Sequence, residues 1–316
     1  MSCGLVPNLT GQSMYDSADP RAVLGTEAPA GGSPSPASYP ADYVAFHESP
    51  PALKSGGSRH WYARGQNFVV GYSECNGPVT LRRATQPDEW MLLLPGGDVS
   101  ARIAVAGQAL GAPGRSLAVI PPGDSEITII GSGTVVRIFS RNASDLCAQA
   151  INDSSYAEDH FNVAPLTAWP VAADGPMVRV YSLDVPPEAG RFGRIWRCST
   201  LMVNVLDPAD GPRDETRLSP HSHEDFEQGS LALQGEYIHH IRWPWTTNRR
   251  TWRPDDHQAC GSPSLAVIPP PAIHTSQAVG EETNQLVDIF APPRRDFSER
   301  PGWVLNAAEY PMPQPG

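Results

Sequence analysis

The chain has 316 residues, a formal net charge of −11 at neutral pH, and 40% hydrophobic residues. Its length suits one large domain or two ordinary ones, with enough apolar residues for a packed core. The acidic balance argues against a nucleic-acid partner, which calls for a basic stripe, and against attraction to anionic lipid. No apolar run approaches the length that spans a bilayer. Met1 to Leu24 has neither a basic nor an apolar signal region, so a cytoplasmic location is expected. The five cysteines are scattered with no CxxC, which fits reduced thiols rather than a zinc ribbon or a disulfide framework. The 34 prolines and 28 glycines, spread among short apolar runs, favour an all-β protein with many turns.

In chain order, residues 1–50 are rich in Pro, Gly, Ser and Ala, and read as an extended N-terminal arm. From Trp61 onward short β-type runs at 68–72, 90–96, 101–105 and 133–139 alternate with turns, and no stretch of comparable length has a helical period. A repeat then emerges. Ser116-Leu117-Ala118-Val119-Ile120-Pro121-Pro122 recurs as Ser264-Leu265-Ala266-Val267-Ile268-Pro269-Pro270. Upstream of each copy is a second landmark. Glu89 precedes a β run and Gly96, and Gln228 precedes a β run and Gly235. Two landmarks in the same order imply two copies of one β-domain, joined in the Pro/Ala-rich segment from Ala164 to Gly175. The expected units are an arm over 1–50, a first barrel over 51–165 and a second over 166–316. The second copy has about nine extra residues, expected between Trp243 and Gly261.

Ligand-type residues cluster at usable spacing in one place, Pro220-His221-Ser222-His223-Glu224-Asp225-Phe226-Glu227-Gln228, with His274 further on. Histidines at i and i+2 share one face of a β-strand. Two imidazoles from one strand, a carboxylate or amide downstream and a third imidazole suit a single transition metal. Glu227 and Gln228 are neighbours, so regular alternation lets only one of them face the site, and a bulge could select either. Tyr237-Ile238-His239-His240-Ile241-Arg242-Trp243 reads as the next strand, with either His239 or His240 inward. The inward one is a core residue or an acid/base group near the metal. Arg242 shares a face with His240 and could bind a carboxylate. Trp243, Trp245 and Trp252 could line a pocket mouth or pack between the barrels. His257 reads as an exposed loop residue, and His47, His60 and His160 have no partner at ligand spacing.

These residues resemble the cupin superfamily, specifically its two-barrel bicupins. The first cupin motif, H-x-H, three or four residues, Glu, six residues, Gly, is matched by His221, His223, Gln228 and Gly235. The second, Pro-x-Gly-x-x-His, is matched by Pro269 to His274, with Pro271 in place of the turn glycine. The resemblance spans roughly residues 55–300 and implies two tandem jelly-roll (double-stranded β-helix) barrels. The ligands it implies are His221, His223, His274 and Gln228, with Glu227 as the alternative to Gln228. In the first copy the matching positions are Arg82, Ala84, Glu89 and Glu126, without a histidine, so one metal per chain is expected.

The resemblance further implies a divalent metal, Fe(II) favoured over Mn, Ni and Zn, in a dioxygenase acting on a small organic substrate. Non-oxidative isomerase, lyase or hydrolase chemistry is the alternative, and a non-catalytic small-molecule binder is the reading from another class. His239 or His240 would be the acid/base, and Tyr237, Arg242 and Trp243 would contact substrate. A homodimer is expected from the resemblance.

Overall fold

The structure, a computed structural model, describes residues 38–246 and 248–314. Residues 1–37 of the expected arm lie outside the described residues. β1 (Asp42–Ala45) precedes a first barrel made of β2 (Leu53–Ser55), β3 (Ser58–Arg64), β4 (Phe68–Asn76), β5 (Val79–Gln86), β6 (Trp90–Leu94), β7 (Val99–Val105), β8 (Gln108–Ala112), β9 (Ser116–Ile120) and β10 (Gly123–Ser140). After a connection comes β11 (Arg179–Ser182). The second barrel comprises β12 (Arg194–Arg197), β13 (Met202–Val205), β14 (Ala209–Asp210), β15 (Gln228–Gln234), β16 (Glu236–Arg242), β17 (Asp256–Gly261), β18 (Ser264–Ile268), β19 (Ile273–Ala278) and β20 (Thr283–Phe290). The α-helices among the described residues are single turns, α1 (Ser144–Cys147) and α2 (Arg295–Ser298). The fold is all-β.

The repeated heptapeptide forms β9 and β18, and all five residues of each strand are buried. One face of each, Leu117 and Val119 or Leu265 and Val267, enters a hydrophobic core shared by the two barrels. On the other face, Ala118 and Ile120 pack into the first barrel's interior. A strand buried on both faces reads as a continuous apolar run, which is why this segment stands out in the sequence.

Each of these strands is flanked on one side by a strand from the other half. β1 pairs with β18, Asp42 opposite Val267 and Ala45 opposite Ser264. β11 pairs with β9 in the same register, Arg179 opposite Val119 and Ser182 opposite Ser116. Sheet membership therefore departs from the expected boundaries. β1, in the arm, belongs to the second barrel's sheet, and β11, beyond residue 166, belongs to the first. Chain boundaries and sheet boundaries differ because hydrogen bonding across the barrel pair satisfies the exposed edges of β9 and β18.

β10 serves both sheets of the first barrel, pairing with β5 and β7 early and with β4 and β6 late. Gly131 lies in the bend between these two stretches with φ +90°, and a Cβ there would lie 2.1 Å from the Asp98 carbonyl oxygen, so no other residue fits. In the second barrel the corresponding path is divided between β19 and β20. The extra residues fall in the connection from β16 to β17, which holds the turn Arg249–Thr251 where the first barrel has a two-residue link between β7 and β8.

Strand register also corrects the second landmark of the repeat. Trp90 lies opposite Ile120 and Gln228 opposite Ile268. Trp90 is therefore the counterpart of Gln228, and Glu89 is the counterpart of Glu227. The one-residue offset arises because β15 carries an irregularity between Ala232 and Gln234, which changes the count to the turn glycine.

Candidate metal centre

His221 and His274 are paired backbone to backbone, N–H to C=O in both directions at 3.1 and 2.8 Å. This is an isolated bridge, so the H-x-H segment is extended chain rather than the full strand expected. The i, i+2 geometry survives, because extended backbone alternates its side chains all the same. His223 and His274 are buried, while His221 keeps an exposed edge. One ligand-type atom from each of the three lies within 4.8 Å of the others.

The hydrogen bonds behind the rings fix which nitrogen faces inward. His221 Nδ1 donates to the Ser219 carbonyl and His274 Nδ1 to the Ala272 carbonyl, each at 3.0 Å. That leaves both Nε2 lone pairs free, which is how metal-binding histidines are commonly oriented. His223 stacks on Phe226 with ring centroids 4.3 Å apart. Its Nε2 is buried and has no hydrogen-bond partner. A buried nitrogen without a partner is costly, and a metal ion would satisfy it. Burial, and then the neighbouring imidazoles, hold His274 down at about 3 and His223 well below the usual histidine range. Burial lowers His221 as well, so the neutral form, which binds metals, is favoured at each ring. The donor set fits one transition metal.

Gln228 lies beside the three histidines. Its Nε2 donates to Ser230 Oγ at 3.0 Å and to Asp288 Oδ1 at 3.1 Å. The amide oxygen is thereby turned towards His274, with Oε1 to Nε2 at 3.4 Å. Asp288, missed in the sequence because nothing marks its strand, is buried deep in the barrel, and burial pushes its carboxyl up to about 7. Glu227 points the other way. It accepts a hydrogen bond from the Asn67 backbone N–H at 2.8 Å and lies against Gly65 of the first barrel. The expected alternative of Glu227 as a ligand is thus excluded by strand alternation.

A cleft of about 520 Å³ opens beside His223, walled by Phe226, Trp169, Pro292 and Arg294. Arg294 is held by a two-point ion pair with Asp296 and lies over the rings of Phe297, Phe290 and Phe226 at 3.6 to 5.0 Å. Trp169 comes from the inter-barrel connection, so the join between the halves forms part of the wall.

No protein-family model and no curated protein sequence matches the chain. Solved structures do. A Lactobacillus farciminis oxalate decarboxylase, in a formate complex, superposes with TM-score 0.54 at 13% identity, covering 83% of this chain and 88% of that one. A Bacillus subtilis oxalate decarboxylase gives 0.54 at 12% identity, covering 88% and 84%. AerE from Microcystis aeruginosa gives 0.51 at 9% identity, covering 81% and 99%. The chain has the two-barrel cupin fold.

The other expected positions sort by strand face. β16 buries Tyr237, His239 and Ile241 and turns His240 and Arg242 outward. His239 is fully buried, with Nδ1 2.9 Å from Ser276 Oγ and Nε2 without a partner. Ser276 lies opposite His239 and His274 opposite Ile241, so His239 sits further along the same inner face as the histidine triad. Burial first, and then His240, lower it to about 4.

His240 faces away, bonding His257 at 2.7 Å and Gln277 at 2.9 Å. Arg242 is paired with Asp255. The expected roles of His240 as acid/base and Arg242 as substrate anchor at the metal are therefore not met. Both line a second groove of about 210 Å³, whose wall also includes His274. Trp243 is also packed away, donating from Nε1 to the Tyr39 carbonyl at 2.9 Å. Trp245 and Trp252 stack on one another at 4.4 Å in the inserted connection, outside both the cleft lining and the shared core.

In the first barrel the register mates of His221 and His274 are Arg82 and Glu126, which form an exposed ion pair at 2.8 Å. Pro271 is accommodated in a turn closed by the Ala272 N–H donating to the Pro269 carbonyl at 3.2 Å. Among the described residues no helix is long and apolar enough to cross a membrane.

Proposed function

We propose that the second barrel holds one divalent transition metal on His221, His223 and His274 and acts as an enzyme on a small organic substrate. The observation that carries this is the buried, unpartnered Nε2 of His223 beside two imidazoles already locked with their Nε2 atoms free. Three protein nitrogens leave positions open, as a catalytic ion needs and a structural zinc does not. Fe(II) is the metal we favour, with Mn, Ni and Zn compatible with the same donors. When bound, the ion would supply Lewis acidity or, as Fe(II), dioxygen chemistry.

The chain's own residues do the rest. Gln228 presents an oxygen whose orientation Asp288 and Ser230 enforce. The cleft beside His223 admits the substrate, and Phe226 and Trp169 offer it apolar walls. His239, neutral and with a free Nε2, can accept a proton or a hydrogen bond deeper in the barrel. Dioxygenation is the first reading. Non-oxidative chemistry is the second, supported by the oxalate decarboxylases among the similar structures.

Metal analysis of protein purified without chelator tests the site. About one ion per chain is expected, and His223→Ala should lose it while keeping its β-sheet circular dichroism. Undiminished metal in that variant would move the site elsewhere. Oxygen consumption by the Fe(II)-loaded protein with candidate substrates then separates the two chemistries.

A further inference from the structure

The first barrel has lost the histidines yet keeps polar groups at the positions that build the site in the second. Trp90 is the counterpart of Gln228. Arg137 lies opposite Leu92 as Asp288 lies opposite Ser230, so Arg137 is the counterpart of Asp288. The exchange inverts the chemistry. The second barrel offers lone pairs, from imidazoles, an amide oxygen and a carboxylate. Arg and Trp side chains offer only N–H donors.

These donors lack acceptors. Arg137 is 4% exposed. One of its Nη atoms donates to Tyr62 Oη at 2.9 Å, and its Nε is buried without a partner. No carboxylate among the described residues pairs with it. Its guanidinium lies 5.5 and 5.9 Å from the ring centroids of Tyr62 and Phe139. Trp90 is fully buried and its Nε1 has no acceptor. His60, also fully buried, has Nδ1 2.9 Å from Ser73 Oγ and Nε2 unpartnered. It becomes a further donor when Nδ1 accepts from the serine hydroxyl. Tyr62, whose oxygen accepts from Arg137, keeps its own hydroxyl proton to give.

In register Tyr62, Gly71 and Arg137 lie side by side across β3, β4 and β10. Gly71 puts no side chain between the tyrosine and the guanidinium. Arginine stays protonated in proteins, and a buried charge without a counter-charge is expensive. One anion beside the guanidinium would answer both the charge and the acceptor missing at Nε.

We propose that the first barrel encloses a small anion, a halide or a short carboxylate, held by Arg137 and Tyr62. The site is independent of the metal reading, since it lies in the other barrel. Val69, Leu92, Val135 and Phe139 belong to the buried core of this barrel, and such packing restricts the site to small ligands. The two barrels of one chain thus carry binding sites of opposite sign at equivalent positions.

The test uses the full-length His223→Ala protein with chelator present, so that anions cannot report on the metal centre. Sodium chloride or sodium acetate replaces sodium gluconate at constant ionic strength while thermal unfolding is followed. A ligand that binds only the folded state raises the midpoint in a saturable way. A saturable rise of a few degrees is expected. It should vanish in Arg137→Met, whose aliphatic chain removes the buried charge. Chloride-35 NMR supplies a second measurement should Arg137→Met fail to fold. Excess line broadening by the parent protein, displaced by acetate and reduced about tenfold in affinity by Tyr62→Phe, is expected from loss of one hydrogen bond to an anion. A flat titration and no excess broadening, as when water alone fills the position, would overturn the proposal. So would an equal response in a folded Arg137→Met.

Discussion

Glu227 and Gln228 stand next to each other at the entry to β15 and point to opposite faces of the sheet. Gln228 joins the histidine triad, and Glu227 reaches across to the backbone of Asn67 in the first barrel. Its counterpart Glu89 does the same in reverse, accepting from the Ser199 N–H and the Tyr310 hydroxyl, each at 2.9 Å. The acidic residue that looks like a metal ligand in sequence is one of two carboxyl clasps between the barrels. Its burial has a consequence for pH. Burial raises Glu227 from 4.5 to about 7, partly offset by the Gln66 and Asn67 backbone donors. The folded chain therefore holds this proton where the unfolded chain has lost it. The contribution to stability is fully present below 4.5 and falls away as pH rises towards 7. The amount at stake is on the order of 3 kcal/mol. Glu227→Gln keeps an oxygen for the Asn67 N–H and removes the titration. The variant's unfolding midpoint should gain on wild type between about pH 5 and about pH 8. A difference that stays constant with pH would mean that Glu227 is not buried as described.

At the scale of elements, the barrels exchange strands. β1 borders β18, and β11 borders β9, in matching register. β1 also brings Tyr43, whose hydroxyl donates to Asp256 at 2.7 Å and whose ring lies 6.2 Å from that of His239. It leads directly into Phe46, fully buried in the shared core. A chain that begins at Phe46 should therefore leave an edge of β18 unpaired while β9 keeps its neighbour. Hydrogen exchange should show this as loss of protection over residues 264–268 with protection over 116–120 unchanged. Equal protection of the two strands would contradict the exchange. The exchange was not legible in sequence. Asp42–Ala45 follows a Pro-rich, low-complexity run, and four residues are too few for a periodicity to show. The repeat was legible because β9 and β18 are buried on both faces.

For the molecule as a whole, the core shared by the barrels contains Met91, Leu93, Val136 and Ile138 from the first and Leu231, Leu265, Val287 and Ile289 from the second. With strands exchanged across it as well, the halves should unfold as one unit. Calorimetry of the metal-free chain should give a single transition whose calorimetric and van't Hoff enthalpies agree. Two resolved transitions would show barrels that are stable separately. The sequence by itself determined the β class, the duplication and the placing of His221, His223 and His274 in one copy, because alternation and spacing are local properties of the chain. The tertiary structure decided the rest. It placed Gln228 inward and Glu227 outward, separated His239 from His240, and brought Asp288 and Arg294 to the site from strands and turns with no motif of their own. It also set Arg137 at the position of Asp288 in the barrel that keeps no histidine triad. These choices depend on which strands pair and in what register, and hydrogen bonding across long sequence separations fixes that register only when both barrels are assembled.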